Sequence, residues 1–199
     1  MIDNLSPKYR DLLNYLSNSI YSTLLLDVLI MPKKKTATYW IDQLNMERHP
    51  EGGYYKETYR CNELYKEAHL PLKYKSDRVF STGIYFLLES NDFSSLHRIT
   101  SDEMWHFYAG SSLTVYAFNQ HDYFEIKLGS DFEKGQVFQA VVPGGYWFGA
   151  KVNEANSYAL VGCTVAPGFD FEDFELAKQA DLLQEYPQYK KVITKLTRT

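Results

Sequence analysis

Cysteine is almost missing from this chain. Cys61 and Cys163 are the only two among 199 residues, far apart and in no CxxC pair. That excludes a disulfide framework and a structural zinc knuckle, and reads as two reduced, buried thiols without catalytic work. A surplus of cations is missing too. Lys+Arg 21 against Asp+Glu 25 gives a formal net charge of −4, with a sequence pI near 5.7. A nucleic-acid partner, which needs cations to displace phosphate counterions, is therefore not expected. Long hydrophobic runs are absent: the most apolar N-terminal stretch, 20–31, is interrupted by Asp27 and is too short to span a bilayer. It has no basic segment before it and no small-residue cleavage site after it, so the expectation is a cytoplasmic protein with no membrane partner. The chain also lacks a phosphate-cradling glycine loop, a GxSxG elbow and HExxH, which removes those enzyme classes.

Aromatic residues are plentiful: 16% of the chain, with 17 Tyr, 12 Phe and 3 Trp. Together with 45% hydrophobic and 23% charged residues, this predicts a folded, β-rich globule. Residues 6–30 read as an amphipathic helix, capped by Ser6 with Pro7 in its first turn and stopped by Pro32. Lys33-Lys34-Lys35 then reads as a solvated linker. The expected organisation is a helical extension and linker over 1–35 and one domain over 36–199.

A short helix is predicted near 38–45. HPEGGYYKETYR (49–60) breaks it at Pro50 and Gly52-Gly53 and enters a strand; His49 reads as a turn or capping residue. Apolar or alternating runs follow at 79–89, 103–109, 113–119, 123–128, 136–142 and 157–165, separated by turn signals. Evenly spaced strands without intervening helices predict a sandwich or barrel. A helix over 173–185, preceded by acids suited to its N-terminal dipole, and another opened by Pro187 complete the prediction.

Two segments concentrate the chemistry. In SSLHRITSDEMWHFYAG (94–110), His97 and Ile99 share one strand face, and Glu103 starts the next strand, so His97 and Glu103 are expected to converge across a hairpin. In QVFQAVVPGGYWFG (136–149), a strand ends in Pro143-Gly144-Gly145 and resumes at Tyr146-Trp147-Phe148. His97, Glu103 and Gly110 match the spacing of the first motif of cupins, the double-stranded β-helix (jelly-roll) barrels. Pro143 and Gly145 match the second. HPEGGYYKETYR, STGIYFLL, SDEMWHFYAG and LVGCTVAPGFDFEDFE resemble, over about residues 38–178, a cupin branch catalogued as a domain of unknown function. The resemblance implies a mainly β cupin barrel with flanking α-helices, as a homodimer.

It also implies where a metal would sit in a typical cupin, on three His and one Glu. Here Ile99 and Phe148 occupy two of those four positions, so no metal or other cofactor is expected. Without metal, His97 beside Glu103 suits acid/base chemistry next to a carbonyl, as in the sugar-nucleotide 3,5-epimerases that share this fold. The expected function is binding of a small polar molecule, with isomerase or epimerase chemistry on a sugar- or nucleotide-like substrate. The alternatives are a non-catalytic binding protein and a degenerate metal-dependent oxygenase or lyase. His97 and Glu103 are the candidate catalytic pair; Trp105, His106, Tyr85, Glu57 and Trp147 are the candidate ligand-binding residues. On a regular strand His106 points away from Glu103 and Trp105, and a bulge would be needed to bring it in.

Overall fold

The computed structural model describes residues 35–198; the helix expected over 6–30 lies outside them. Helix α1 (Ala37–Gln43) is capped by Thr36, whose side chain accepts the Tyr39 N–H at 3.1 Å. Strands, numbered in chain order, then form two antiparallel sheets. The larger sheet runs in space β1 (Glu47–Arg48), β2 (Tyr54–Arg60), β5 (Thr82–Glu89), β12 (Tyr158–Ala166), β7 (Asp102–Gly110), β10 (Gln139–Val142). The smaller runs β13 (Glu175–Leu176), β6 (Ser94–Arg98), β11 (Trp147–Val152), β8 (Leu113–Phe118), β9 (Tyr123–Leu128). A separate ladder joins β3 (Leu64–Tyr65) to β4 (Arg78–Val79). Two short helices, α2 (Gln179–Glu185) and α3 (Lys190–Lys195), follow.

Side chains alternate across each strand, so one face of each sheet meets the other. Phe86, Trp105, Val161 and Cys163 from the larger sheet pack with Val115, Phe148 and Ala150 from the smaller. Each such fully buried large side chain stabilises the fold by about 1.5–3 kcal/mol. The outer faces are covered differently. Leu96, Phe118 and Trp147 pack under Leu182, Tyr186 and Ile193 of the C-terminal helices, while Leu87, Tyr158 and Leu160 meet α1 through Ala37, Trp40 and Leu44.

Two expectations need correction. Residues 174–178 are not helical, and Asp173 closes a single 3-10 turn (Phe171–Asp173). Glu175 and Leu176 extend to pair with Arg98 and His97 of β6, and the helix starts only at Gln179. The acids before it therefore do not serve a helix dipole. Asp173 grips Arg78 through two bonds of 2.7 and 2.8 Å, Glu175 pairs with Arg98 at 2.7 Å, and Asp170 accepts the Glu172 N–H at 2.9 Å. Together they lay a strap over the barrel. Second, His97 and Glu103 do not meet across a hairpin: β6 and β7 belong to different sheets, and the two side chains approach from opposite walls of the barrel.

Candidate functional site

The turn after β1 supplies half of the site. The His49 N–H donates to the Gly53 carbonyl at 3.2 Å and the Gly52 N–H to the His49 carbonyl at 3.0 Å. Gly52 and Gly53 have φ of +115° and +70°, and a Cβ on either would strike a backbone oxygen, of Phe93 or Leu87, at 2.3 or 2.6 Å. The two glycines thus let the chain double back tightly. The Ser95 N–H fixes Glu51 by donating to its carbonyl at 2.8 Å. Held this way, His49 and Glu51 point into a cavity of about 300 Å³ that His97, Glu103 and Cys163 also line.

Hydrogen positions within this cluster follow from its partners. His97 Nδ1 lies 2.8 Å from the Ser95 carbonyl oxygen, which only accepts, so Nδ1 carries the ring proton. His97 Nε2 lies 3.1 Å from Glu51 Oε2. Two bare lone pairs do not sit at that distance, so one further proton belongs to this contact. Burial pushes the Glu51 carboxyl up and the His97 imidazole down, which places that proton on Glu51, donating to a neutral His97. The Ser94 hydroxyl donates to the other Glu51 oxygen at 2.8 Å. His49, lowered by burial as well, presents Nδ1 to the Glu51 N–H at 3.4 Å and to Glu51 Oε2 at 3.5 Å.

Glu103 is satisfied less well. Its hydrogen-bonding neighbour is the Cys163 thiol, itself held protonated by burial and by that carboxyl. Among the described residues no cation lies in ion-pair contact with it. Burial pushes its pKa to about 7, opposed by the His97 ring and helped by the Glu51 carboxyl. Apolar walls come from Ile84, Phe86, Ile99 and Val165, with Phe169, Phe171 and Phe174 contributed by the strap. Phe174 also lies 5.4 Å from the His97 ring. At the solvent side stand Glu47, Lys56, Glu57 and Arg60, the last two joined at 2.7 and 3.1 Å.

The structure brings together His97, Glu103 and Glu57 of the residues singled out from the sequence. The other four lie elsewhere. Trp105 is core, edge-on to Phe86 at 6.0 Å and to Phe148 at 6.5 Å. Tyr85 faces outward, because its neighbours Ile84 and Phe86 take the inner face, and it meets Tyr108 at 5.9 Å. Trp147 packs under the C-terminal helices with Arg98 4.5 Å above its ring. His106 also faces outward, bonded to Thr164 and Gln139 at 3.1 and 3.0 Å. The register shift between β7 and β12 comes after it, between its partners Phe107 and Ala109, too late to turn it inward. Sequence reading missed Glu51 and placed His49 in the turn without its cavity role. The available signal was the Pro50–Gly53 turn itself, which forces the acid between its proline and glycines to one defined side.

The four cupin ligand positions are His97, Ile99, Glu103 and Phe148, and two of them offer only carbon. Among the described residues no group of three or more His, Cys, Asp or Glu side chains is arranged to hold a metal ion. This donor set does not fit the usual cupin metal.

Two facing antiparallel sheets that hold His97 and Glu103 on opposite inner walls define a cupin barrel. Residues 38–177 match the family described as Cupin superfamily (DUF985), and the chain belongs to that family. It is 31% identical over 154 residues to the uncharacterized protein YML079W of Saccharomyces cerevisiae, covering 72% of this chain and 76% of the yeast one. Two solved structures are similar. Protein SO0799 of Shewanella oneidensis shares 41% identity with a TM-score of 0.74, over 82% of this chain and 98% of its own. A hypothetical protein from Leishmania major shares 36% with a TM-score of 0.75, over 83% and 100%.

Proposed function

We propose that this cupin binds a small, sugar- or nucleotide-like molecule in its barrel and isomerises or epimerises it by metal-independent proton transfer. The observation that carries this reading is Glu103, a carboxyl buried in a cavity and, among the described residues, lacking a paired cation; burial pushes its pKa up to about 7. A base poised there is half ionised near neutrality and returns its proton readily. His97 is less suited to the part, because Ser95 and Glu51 already occupy both ring nitrogens. Neutral and bonded at both nitrogens, it lines the cavity beside Glu103. The step balances with a single base. A Glu103 oxygen takes a proton from a hydroxyl-bearing carbon next to a carbonyl, and the C–H electron pair moves into an enediolate. The hydroxyl proton passes to the former carbonyl oxygen and the same Glu103 oxygen returns its proton to the former carbonyl carbon, which isomerises the substrate. Epimerisation instead takes the returning proton from water on the opposite face, while Glu103 gives its own to solvent.

Solvent exchange tests this. Sugar nucleotides and keto sugars are incubated with the protein in D2O and followed by NMR. The expected result is deuterium at one carbon next to a carbonyl, lost in Glu103→Gln while binding persists. A compound that binds in the cavity and exchanges nothing would make the protein a carrier and retire the enzymatic reading. Pairing of two copies into a homodimer is the companion proposal. It is supported by Met104, Tyr108 and Val141, exposed on β7 and on β10 at the end of the larger sheet. Sedimentation of the full chain as a monomer at micromolar concentration would refute it.

A further inference from the structure

We infer that the part of the ligand entering this cavity carries a positive charge or a neutral N–H or O–H donor, and that anionic groups are excluded from it. The inference rests on the cavity being the ligand site, as proposed above, and not on turnover.

Each element around the cavity contributes a definite charge. From the turn after β1 come His49 and Glu51, from β6 His97, from β7 Glu103 and from β12 Cys163. Glu51 and His97 hold a single proton at their 3.1 Å contact beyond the one on Nδ1, so the pair is neutral overall wherever that proton rests. At pH 8 burial keeps His49 neutral, and the Cys163 thiol and the Tyr55 phenol of β2 protonated. β5 contributes Thr82, Ile84 and Phe86, and the strap contributes phenyl rings, so neither adds charge. Among the described residues, what remains inside is Glu103, whose ionised form carries a net charge.

The cations available are at the rim. Arg60 spends two donors on Glu57, and Lys56 stands there with Glu47. Among the described residues no cation faces the deep end, so none of them there would receive a phosphate or carboxylate. The walls do suit a flat or apolar body carrying a donor: phenyl faces attract cations, and Glu103 has accepting capacity left over. On this account a nucleotide substrate would lodge its sugar inside and leave its phosphates at or beyond the rim.

Three probes of one shape separate the cases: benzamidine as its cation, benzamide as the neutral donor, and benzoate as the anion. Affinities are measured by NMR titration of the full chain at pH 8 and pH 5.5, with the His97 ring signals reporting that the probe sits in the cavity. At pH 8 benzamidine should bind on the order of a hundredfold tighter than benzoate, with benzamide between them. At pH 5.5 that ratio should contract about tenfold as Glu103 takes up a proton, and in Glu103→Gln it should be small at both pH values. Equal affinities, a preference for benzoate, a ratio indifferent to pH in the unaltered protein, or no binding of any probe would each overturn the inference. The result is independent of the exchange experiment, since a selective cavity and an absent reaction are compatible.

Discussion

Charge is buried in two places in this barrel, and the two are built on opposite plans. Under the strap, Arg78 is 2% exposed, and its donors are met in turn. Asp173 takes two, the Asp77 carbonyl one at 2.9 Å and the Ser76 hydroxyl another, with Glu172 at 3.5 Å. In the cavity, Glu103 is 8% exposed and has a thiol beside it, a neutral imidazole across from it and, among the described residues, no cation. A buried charge with every partner in place fixes a conformation. A buried acid left short of partners weakens the fold, and such sites are where ligands are received. The difference separates the part of the molecule that holds shape from the part proposed above to receive the ligand.

The largest test of this contrast is Arg78→Met. It leaves Asp173 buried without its cation, and the expected loss is about 3–5 kcal/mol of unfolding free energy, read by urea denaturation at pH 7. Because Asp173 anchors the strap, Phe169, Phe171 and Phe174 should become more accessible as well. Pairing the change with Asp173→Leu removes the stranded charge and should restore most of the loss. A single variant as stable as the unaltered protein would mean that the two sites do not differ as argued.

Glu103→Gln should act with the opposite sign. The native pKa of about 7 lies above the ordinary 4.5, so between those values the native state keeps a proton that the unfolded chain has released. Stability from this group is complete below about pH 4.5 and is lost as pH rises through 7, a difference of about 3 kcal/mol. The variant should therefore exceed the unaltered protein by roughly that amount at pH 8 and match it at pH 4.5. His49 and His97, whose pKa values are lowered, destabilise the fold as pH falls below 6.5; comparing both proteins at one pH cancels that contribution. Denaturation curves showing no gain at pH 8 would remove Glu103 as an unpaired acid.

Much of this was legible in the sequence, for physical reasons that also explain what was not. Strand alternation is local, so the runs at 113–119 and 123–128 locate β8 and β9 to within a residue, and the inward facing of Glu103 follows from it. Spacing carried His97 and Glu103 to the same cavity. The convergence across sheets was not readable, because strand order is a property of the whole barrel. The strap was misread because Phe174, Ala177 and Leu182 can be fitted to a helical face. What overrides that pattern is the set of distant partners Arg78, Arg98 and His97. Tyr85 and Trp147 carry suitable chemistry on the outer faces, and His106 points away as regular strand alternation requires. Glu51 escaped notice because a carboxylate between proline and two glycines looks like ordinary turn polarity until the turn is seen to close over the barrel mouth.

The Glu51–His97 contact lies between the two plans, buried like Arg78 but joined through one shared proton, and it gives the smallest expected effect. If the proton rests on Glu51, then Glu51→Gln preserves the arrangement. The amide N–H donates to His97 Nε2 as the carboxyl did, and the amide oxygen accepts the Ser94 hydroxyl. The stability change should stay below about 1 kcal/mol, near the net value of one hydrogen bond. The His97 ring should keep the nitrogen signature of a neutral Nδ1–H tautomer, read by imidazole nitrogen-15 shifts in both proteins. An ion pair behaves otherwise: replacing its anion by an amide strands a buried imidazolium, costs several kcal/mol and shifts the ring nitrogens. A large loss in Glu51→Gln would therefore move the contact to the Arg78 side of the comparison and place an additional full charge beside Glu103. A small one leaves Glu103, among the described residues, as the cavity acid that shares its proton with no imidazole.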